Sequence, residues 1–145
     1  MTEPILDPDR ALVLALKPRF AEAMLAGTKT VEVRRAMPRI TVPTLALLYA
    51  SGSVRALVGT CLVRSVARYP ADELWHLYGT DTALSRVEFD AYLQGRDSGV
   101  AVLLESAEPL AAPISLHTLR RAHGFRPPQS FAYVSHAQRR RLLAA

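Results

Sequence analysis

Short apolar runs alternate with turn-forming clusters along this chain, and their spacing predicts about five or six strands with short helices between them. Residues 11–16 (ALVLAL) are an unbroken apolar run, the mark of a strand buried on both faces. Pro18 suits a first helical position, Phe20, Ala21, Met24 and Leu25 recur at helical spacing, and Gly27 fits a left-handed cap. A helix is therefore predicted from Pro18 to about Ala26. Residues 30–34 (TVEVR) alternate with period two, which sends Val31 and Val33 to a core and puts Thr30, Glu32 and Arg34 on the opposite face. Residues 35–43 carry two prolines and read as a loop. Residues 44–50 and 55–69 read as a hairpin across the turn Ser51-Gly52-Ser53, with Gly59 as a bulge or a close backbone approach.

The second half repeats this economy of short elements. A helix is predicted over residues 70–78. Another is predicted over residues 85–93, where Ser85 and Glu88 stand at capping-box spacing. Residues 99–110 read as a strand, with Pro109 and Pro113 expected to break the segment after it. A helix from Ser115 or Leu116 to His123 ends at Gly124. A stiff diproline turn (RPPQS) then leads to a strand over residues 131–135 and a closing basic helix. No repeat or low-complexity segment is present. The pattern is α+β: a small mixed barrel over residues 11–135 with peripheral helices, a loose lead over 1–10, and a basic helix or tail over 136–145.

Composition narrows the function classes. The chain has 145 residues, half of them hydrophobic, enough for a real core. No apolar run is long enough to span a bilayer, and the polar N-terminus lacks the basic start of a secretory signal, so the cytoplasm is the expected compartment. One cysteine, Cys61, excludes an internal disulfide. No His, Cys or carboxylate set has metal-ligand spacing, so no metal and no cofactor are expected. The net charge of +5 favours a polyanion, namely RNA or single-stranded nucleic acid, or a nucleotide as its smallest form, over a membrane. Of the 18 basic residues only Lys17 and Lys29 are lysine, and both lie in one early segment. Lys17 falls at the start of a helix, where a cation opposes the dipole unless an anion docks there.

The candidate site rests on these placements. Lys17, Lys29, Arg34 and Arg35 surround the strand that carries Glu32, and cations with one carboxylate can grip phosphate and read a base edge or a ribose hydroxyl. The competing reading of Glu32 and Arg34 is a surface ion pair on one strand face. Tyr49 is expected to offer a stacking surface. Ser51 and Arg55 flank its turn, and the PPQS turn presents Gln129 and Ser130. Lys29, Glu32, Tyr49, Arg55 and Ser130 are the candidate catalytic groups. Trp75, Leu77 and Tyr78 offer an alternative, a partner patch, although a core anchor suits Trp75 better.

The segment LALKPRFAEAMLAGTKTVEVRR, with LLYASGSVRALVG, SRVEFDAYLQG and PPQSFAYV after it, resembles the ASCH domain of the PUA-like superfamily. The resemblance implies a small PUA-like β-barrel with a cleft beside the first helix, and a link to RNA. It also implies that the Tyr-Ala-Ser and Pro-Pro-Gln-Ser blocks point towards that cleft, and that Arg55 stands where many relatives have lysine. One branch removes an acyl group from a modified cytidine. Lys29 matches the lysine of that branch, but Glu32 stands where it has threonine. The function expected is RNA binding through a basic cleft with weak ribonuclease activity. The alternatives are an amidohydrolase acting on an acylated nucleoside such as N4-acetylcytidine, and a non-catalytic interaction module.

Overall fold

The computed structural model describes residues 6–145. Its strands are β1 (Ala11–Leu16), β2 (Val31–Arg34), β3 (Thr44–Ala50), β4 (Ala56–Pro70), β5 (Ser98–Ser115) and β6 (Phe131–Val134). They form one mixed sheet in the order β2-β5-β4-β3-β1-β6. The pair β1–β3 is parallel and the other pairs are antiparallel. Five helices decorate it: α1 (Pro18–Leu25), α2 (Ala71–Tyr78), α3 (Arg86–Tyr92), α4 (Leu116–His123) and α5 (His136–Leu143). The architecture is the α+β class expected.

Strand periodicity sorts the core into three clusters. Leu12, Leu14, Leu16, Ala46, Leu48, Val100 and Val102 point inward, where α1 adds Ala21 and Met24. The alternate positions of the same strands, Ala11, Val13, Leu47 and Tyr49, pack outward under α4 and α5 through Leu116, Leu119 and Leu142. Val31, Val33 and Ala101 pack outward at the other edge under α2 and α3 through Leu74, Phe89 and Leu93. Glu32 and Arg34 must then face the interior with the first cluster, since successive strand side chains alternate.

Among the described residues no ladder joins the edge strands β2 and β6. The expected barrel is therefore an open sheet curled on itself. Side chains bridge its seam: Arg34, at the end of β2, donates from Nη2 to the Ala15 carbonyl on β1 at 3.1 Å and from Nη1 to Ser130 Oγ at 2.7 Å.

Two sequence expectations need correction. The lead is not loose from residue 7 onward. Asp7 is buried, accepts from the backbone N–H groups of Asp9, Arg10 and Thr41, and is joined through its carbonyl to His136. These N–H bonds hold its carboxyl below its ordinary pKa, against the opposing effect of burial, which is the largest single influence. Residues 1–5 of that lead lie outside the described residues. Nor do Pro109 and Pro113 break the segment after residue 110, for β5 runs on to Ser115. Pro109 sits opposite Gly59 where the β4–β5 register slips, and a proline is tolerated at such a bulge. The basic end, by contrast, is a helix that buries Leu142.

Gly59 illustrates the close approach that its position suggested. A Cβ there would lie 2.7 Å from the Glu108 carbonyl oxygen and 2.6 Å from Leu25 Cδ2. The leucine can turn aside, whereas the carbonyl belongs to the neighbouring strand. Gly59→Ala is expected to cost about 1–3 kcal/mol through overpacking. Urea unfolding should show a lower midpoint at unchanged slope.

Candidate functional site

The site begins with the helix start. Lys17 takes the N-cap position of α1 in extended geometry, with no side-chain cap, no acidic residue in the first turn and Pro18 after it. The free N–H groups and the dipole of that end suit an anion, and the lysine stands beside them as the N-cap residue. α1 returns the chain through Gly27, whose φ of +81° is a left-handed conformation that glycine adopts without strain. Lys29 follows and turns inward.

Lys29, Glu32 and Arg34 form a buried charge cluster. Only 2 % of Lys29, 8 % of Glu32 and 8 % of Arg34 remain exposed, which replaces the surface ion pair with an interior one. Lys29 Nζ donates to the carbonyls of Val31, at 3.0 Å, and of Thr82, stands 3.8 Å from Glu32 Oε1, and lies 5.0 Å from the centre of the Phe20 ring. Glu32 Oε2 is 3.6 Å from Arg34 Nη2. Burial pushes the Lys29 ammonium below its ordinary pKa. Glu32 opposes that shift, while Arg34 and Arg19 add to it. Two buried atoms of the cluster, Glu32 Oε2 and Arg34 Nε, have no hydrogen-bond partner among the described residues.

A cleft of about 620 Å³ opens onto this cluster. Lys17, Arg19, Lys29 and Arg34 line it against the carboxylates of Glu32 and Glu88; Phe20 and Tyr92 supply aromatic wall, and Ser51, Pro128 and Gln129 close one side. Its size is that of a small-ligand site. The two lysines therefore share one hollow. Ser51 donates to the Leu16 carbonyl, which fixes the turn against β1. Ser130 follows Gln129 in the chain but is not among the residues that line the cleft; its Oγ accepts from Arg34, which leaves its hydroxyl proton uncommitted among the described residues. Arg35 reaches only the rim, where its Nε donates to the Tyr92 carbonyl and its guanidinium lies 4.3 Å from that ring's centre.

Tyr49 and Arg55 do not join the cleft. The Tyr49 ring is 2 % exposed and packs 5.8 Å from Phe125 in the outward-facing cluster under α4. It is not a free stacking surface, because β3 is apolar on both faces and Tyr49 takes the one turned away from Lys29. Arg55 is exposed, with a φ of +51° after the turn, and its carbonyl accepts from Leu116 at the start of α4. Thr30 is exposed on the strand approach and absent from the lining. Trp75 is half-buried against Phe89, with 5.1 Å between ring centres, which makes it a core anchor.

Sequence reasoning missed Arg19, Phe20, Glu88 and Tyr92 as site residues. Arg19 on α1 pairs with Glu88 on α3, and together they span the cleft mouth. The Arg19 hydrogen bond, aided by the Ser85 backbone, holds Glu88 down to a pKa of about 2. Nothing local in the chain links these residues. The sign that was available is the capping box at Ser85, which fixes where Glu88 points.

Comparison with known proteins identifies the family and the fold. The model for the ASCH domain matches residues 14–109. The chain is 31% identical over 139 residues to an ASCH domain-containing ribonuclease of Zymomonas mobilis, covering 94% of this chain and 93% of that one. The crystal structure of ASCH from Z. mobilis matches with a TM-score of 0.86 at 30% identity, over 92% of this chain and 93% of that one. A mutant of the same protein with one serine changed to alanine matches at 0.87 and 29% identity, over 97% and 98%. The N-terminal domain of Staphylothermus marinus McrB shares the fold at a TM-score of 0.59 and 11% identity, over 92% of each chain.

The charge cluster makes two measurable demands. Arg34→Ala should cost about 1–3 kcal/mol, since it leaves the Ala15 carbonyl and Ser130 without their donor and opens the seam, while Glu32 keeps Lys29 as its counter-charge. Ser130→Ala should cost only about 1 kcal/mol. Urea denaturation separates the two. For Lys29, a folded pKa below the ordinary 10.5 means that the unfolded chain holds the proton longer. Stability should rise with pH from the depressed value up to 10.5, relative to a Lys29→Met variant, and the difference should level off above it.

Proposed function

Because the chain belongs to the ASCH domain family, with a cationic cleft open on its surface, we propose that it binds RNA in that cleft and cleaves it slowly. The observation that carries this reading is the pairing of two kinds of cation. Lys17 stands exposed at the uncapped start of α1, free to meet a phosphate. Lys29 and Arg34 are fixed within and cannot be screened by solvent as surface charges are. The name of the Z. mobilis relative, a ribonuclease over nearly the same length, supports the reaction class.

The roles divide by position. Lys17 and Arg19 neutralise the backbone phosphate, while Phe20 and Tyr92 give the base an apolar wall. Gln129 reads its edge. Cleavage of RNA needs a group that takes the ribose 2′-OH proton and donors that hold the charge building on phosphorus. Glu32 faces the cleft between two cations and fits the first role; Ser130, its oxygen held by Arg34, fits the second, with Lys29 adding positive charge from within without touching the phosphate. In the Z. mobilis protein a serine and a tyrosine replaced in two solved variants are as far apart along the chain as Ser130 and Tyr49 are here, which supports Ser130 as a candidate, whereas Tyr49 is buried away from the cleft. The cytoplasm is the expected setting, and no described helix is long and apolar enough to cross a membrane. The amidohydrolase reading finds no support in the position of Thr30.

Titration with labelled RNA and DNA, single- and double-stranded, at two salt concentrations tests this. Single-stranded RNA should bind best and weaken with salt. Lys17→Ala should lower the affinity and reduce the log–log salt slope by about 0.7, one phosphate contact. Ser130→Ala should bind as the wild type does but leave the RNA intact on a gel. Affinity insensitive to salt and to Lys17→Ala would overturn the proposal.

A further inference from the structure

Positive charge is distributed unevenly along this chain. Residues 109–145 hold six arginines and no aspartate or glutamate, while residues 1–108 hold 12 basic side chains against 13 acidic ones. The last quarter therefore accounts for the entire surplus of +5. All six arginines lie in α4, the segment 124–127 or α5.

The fold gathers these pieces on one side. α4 and α5 touch, and both sink their apolar positions, Leu116, Leu119 and Leu142, into the same cluster. With those stripes turned in, the arginines turn out: Arg120, Arg121, Arg126, Arg140 and Arg141 are exposed and Arg139 is half-buried. Among the described residues none of the six has a carboxylate within ion-pairing distance. Complementing the helix dipoles explains some of them, since four stand in the last turns of α4 and α5. It does not explain Arg126, which lies between the helices, nor the want of any acid to balance so many.

The basic side also begins where the cleft ends. Arg126 precedes Pro128 and Gln129, which line the cleft, and three residues of chain span at most about 10–11 Å. Arg55 stands at the other end of α4, held to it through its carbonyl. We propose that α4, the segment 124–127 and α5 form a docking face for a nucleic-acid backbone that continues the cleft. The substrate is then a polymer: one nucleotide enters the cleft while the flanking strand lies along the arginines. This rests on the nucleic-acid reading of the cleft and adds to it the length of the ligand.

The test compares a long single-stranded RNA with a dinucleotide over a range of salt. One variant carries Arg120→Gln, Arg121→Gln and Arg126→Gln, another carries Arg139→Gln, Arg140→Gln and Arg141→Gln, and matching variants carry lysine at the same positions. All should stay folded, the glutamine variants with a slightly lower urea midpoint than the lysine variants because cations are lost from the last helical turns. The glutamine variants should bind long RNA at least about tenfold more weakly at low salt, with a slope reduced by about 0.7 for each phosphate no longer neutralised. The lysine variants should stay near wild type, and dinucleotide binding should not change. Long-RNA affinity and slope unchanged in the glutamine variants would overturn the proposal. So would unchanged RNA binding combined with lost binding to vesicles of anionic phospholipid. Lys17→Ala separates the two readings: if it leaves dinucleotide binding intact while the glutamine variants still lose long RNA, the cleft reading fails and the docking face stands.

Discussion

The guanidinium of Arg34 holds this structure together at its one open place. The sheet has edges at β2 and β6, and Arg34 reaches from the first strand of the order to the carbonyl of Ala15 on the fifth and to Ser130 beside the sixth. A buried guanidinium needs both acceptors and a counter-charge, because desolvation would otherwise exceed the attraction. Glu32 provides the charge, and Lys29 then becomes tolerable because Glu32 serves it as well. Arg34, which closes the seam, is thus also a wall of the cleft.

That arrangement is not optimal for stability alone. Glu32 Oε2 and Arg34 Nε are buried without hydrogen-bond partners among the described residues, and apolar residues of similar volume would fill the space at less cost. Local rules are broken in the same neighbourhood by Lys17, a cation at the wrong end of a helix. Sequences that otherwise obey capping and packing rules concentrate such exceptions where a ligand acts. Capping is well observed elsewhere in this chain: Ser85, Ser115 and Ser135 each accept from a backbone N–H three residues on. Helix α2 also lacks a side-chain cap, at Pro70, but carries Asp72 and Glu73 in its first turn, so a cation in place of a cap is peculiar to α1 among the described helices.

The elements were legible wherever local chemistry decides them. Pro18 and Gly27 bracket α1, the Ser85–Glu88 box starts α3, and Gly124 ends α4 in a left-handed conformation. What the sequence left open was which of two apolar faces a residue would take. β1 and β3 are buried on both sides, so periodicity alone could not say that Tyr49 belongs under α4 and not over Lys29. The register slip between Leu48 and Tyr49 adds to that ambiguity. Pro109 was misread because a bulge opposite a glycine is a tertiary feature. Within the site, Lys17, Lys29, Glu32 and Arg34 were found because they are close in sequence. Arg19 and Glu88 were not, because their meeting depends on how α1 and α3 are placed by two different clusters.

The two lysines, so similar in the sequence, have opposite chemical fates. Lys29 is sealed behind Phe20 and two carbonyls, while Lys17 stands at the cleft rim in contact with solvent. Every other basic side chain is an arginine or a histidine, which acylating reagents leave largely alone. Apart from its amino terminus, the native protein therefore presents one reactive amine. A dye or crosslinker carried by an activated ester would attach at the mouth of the cleft without any engineered cysteine.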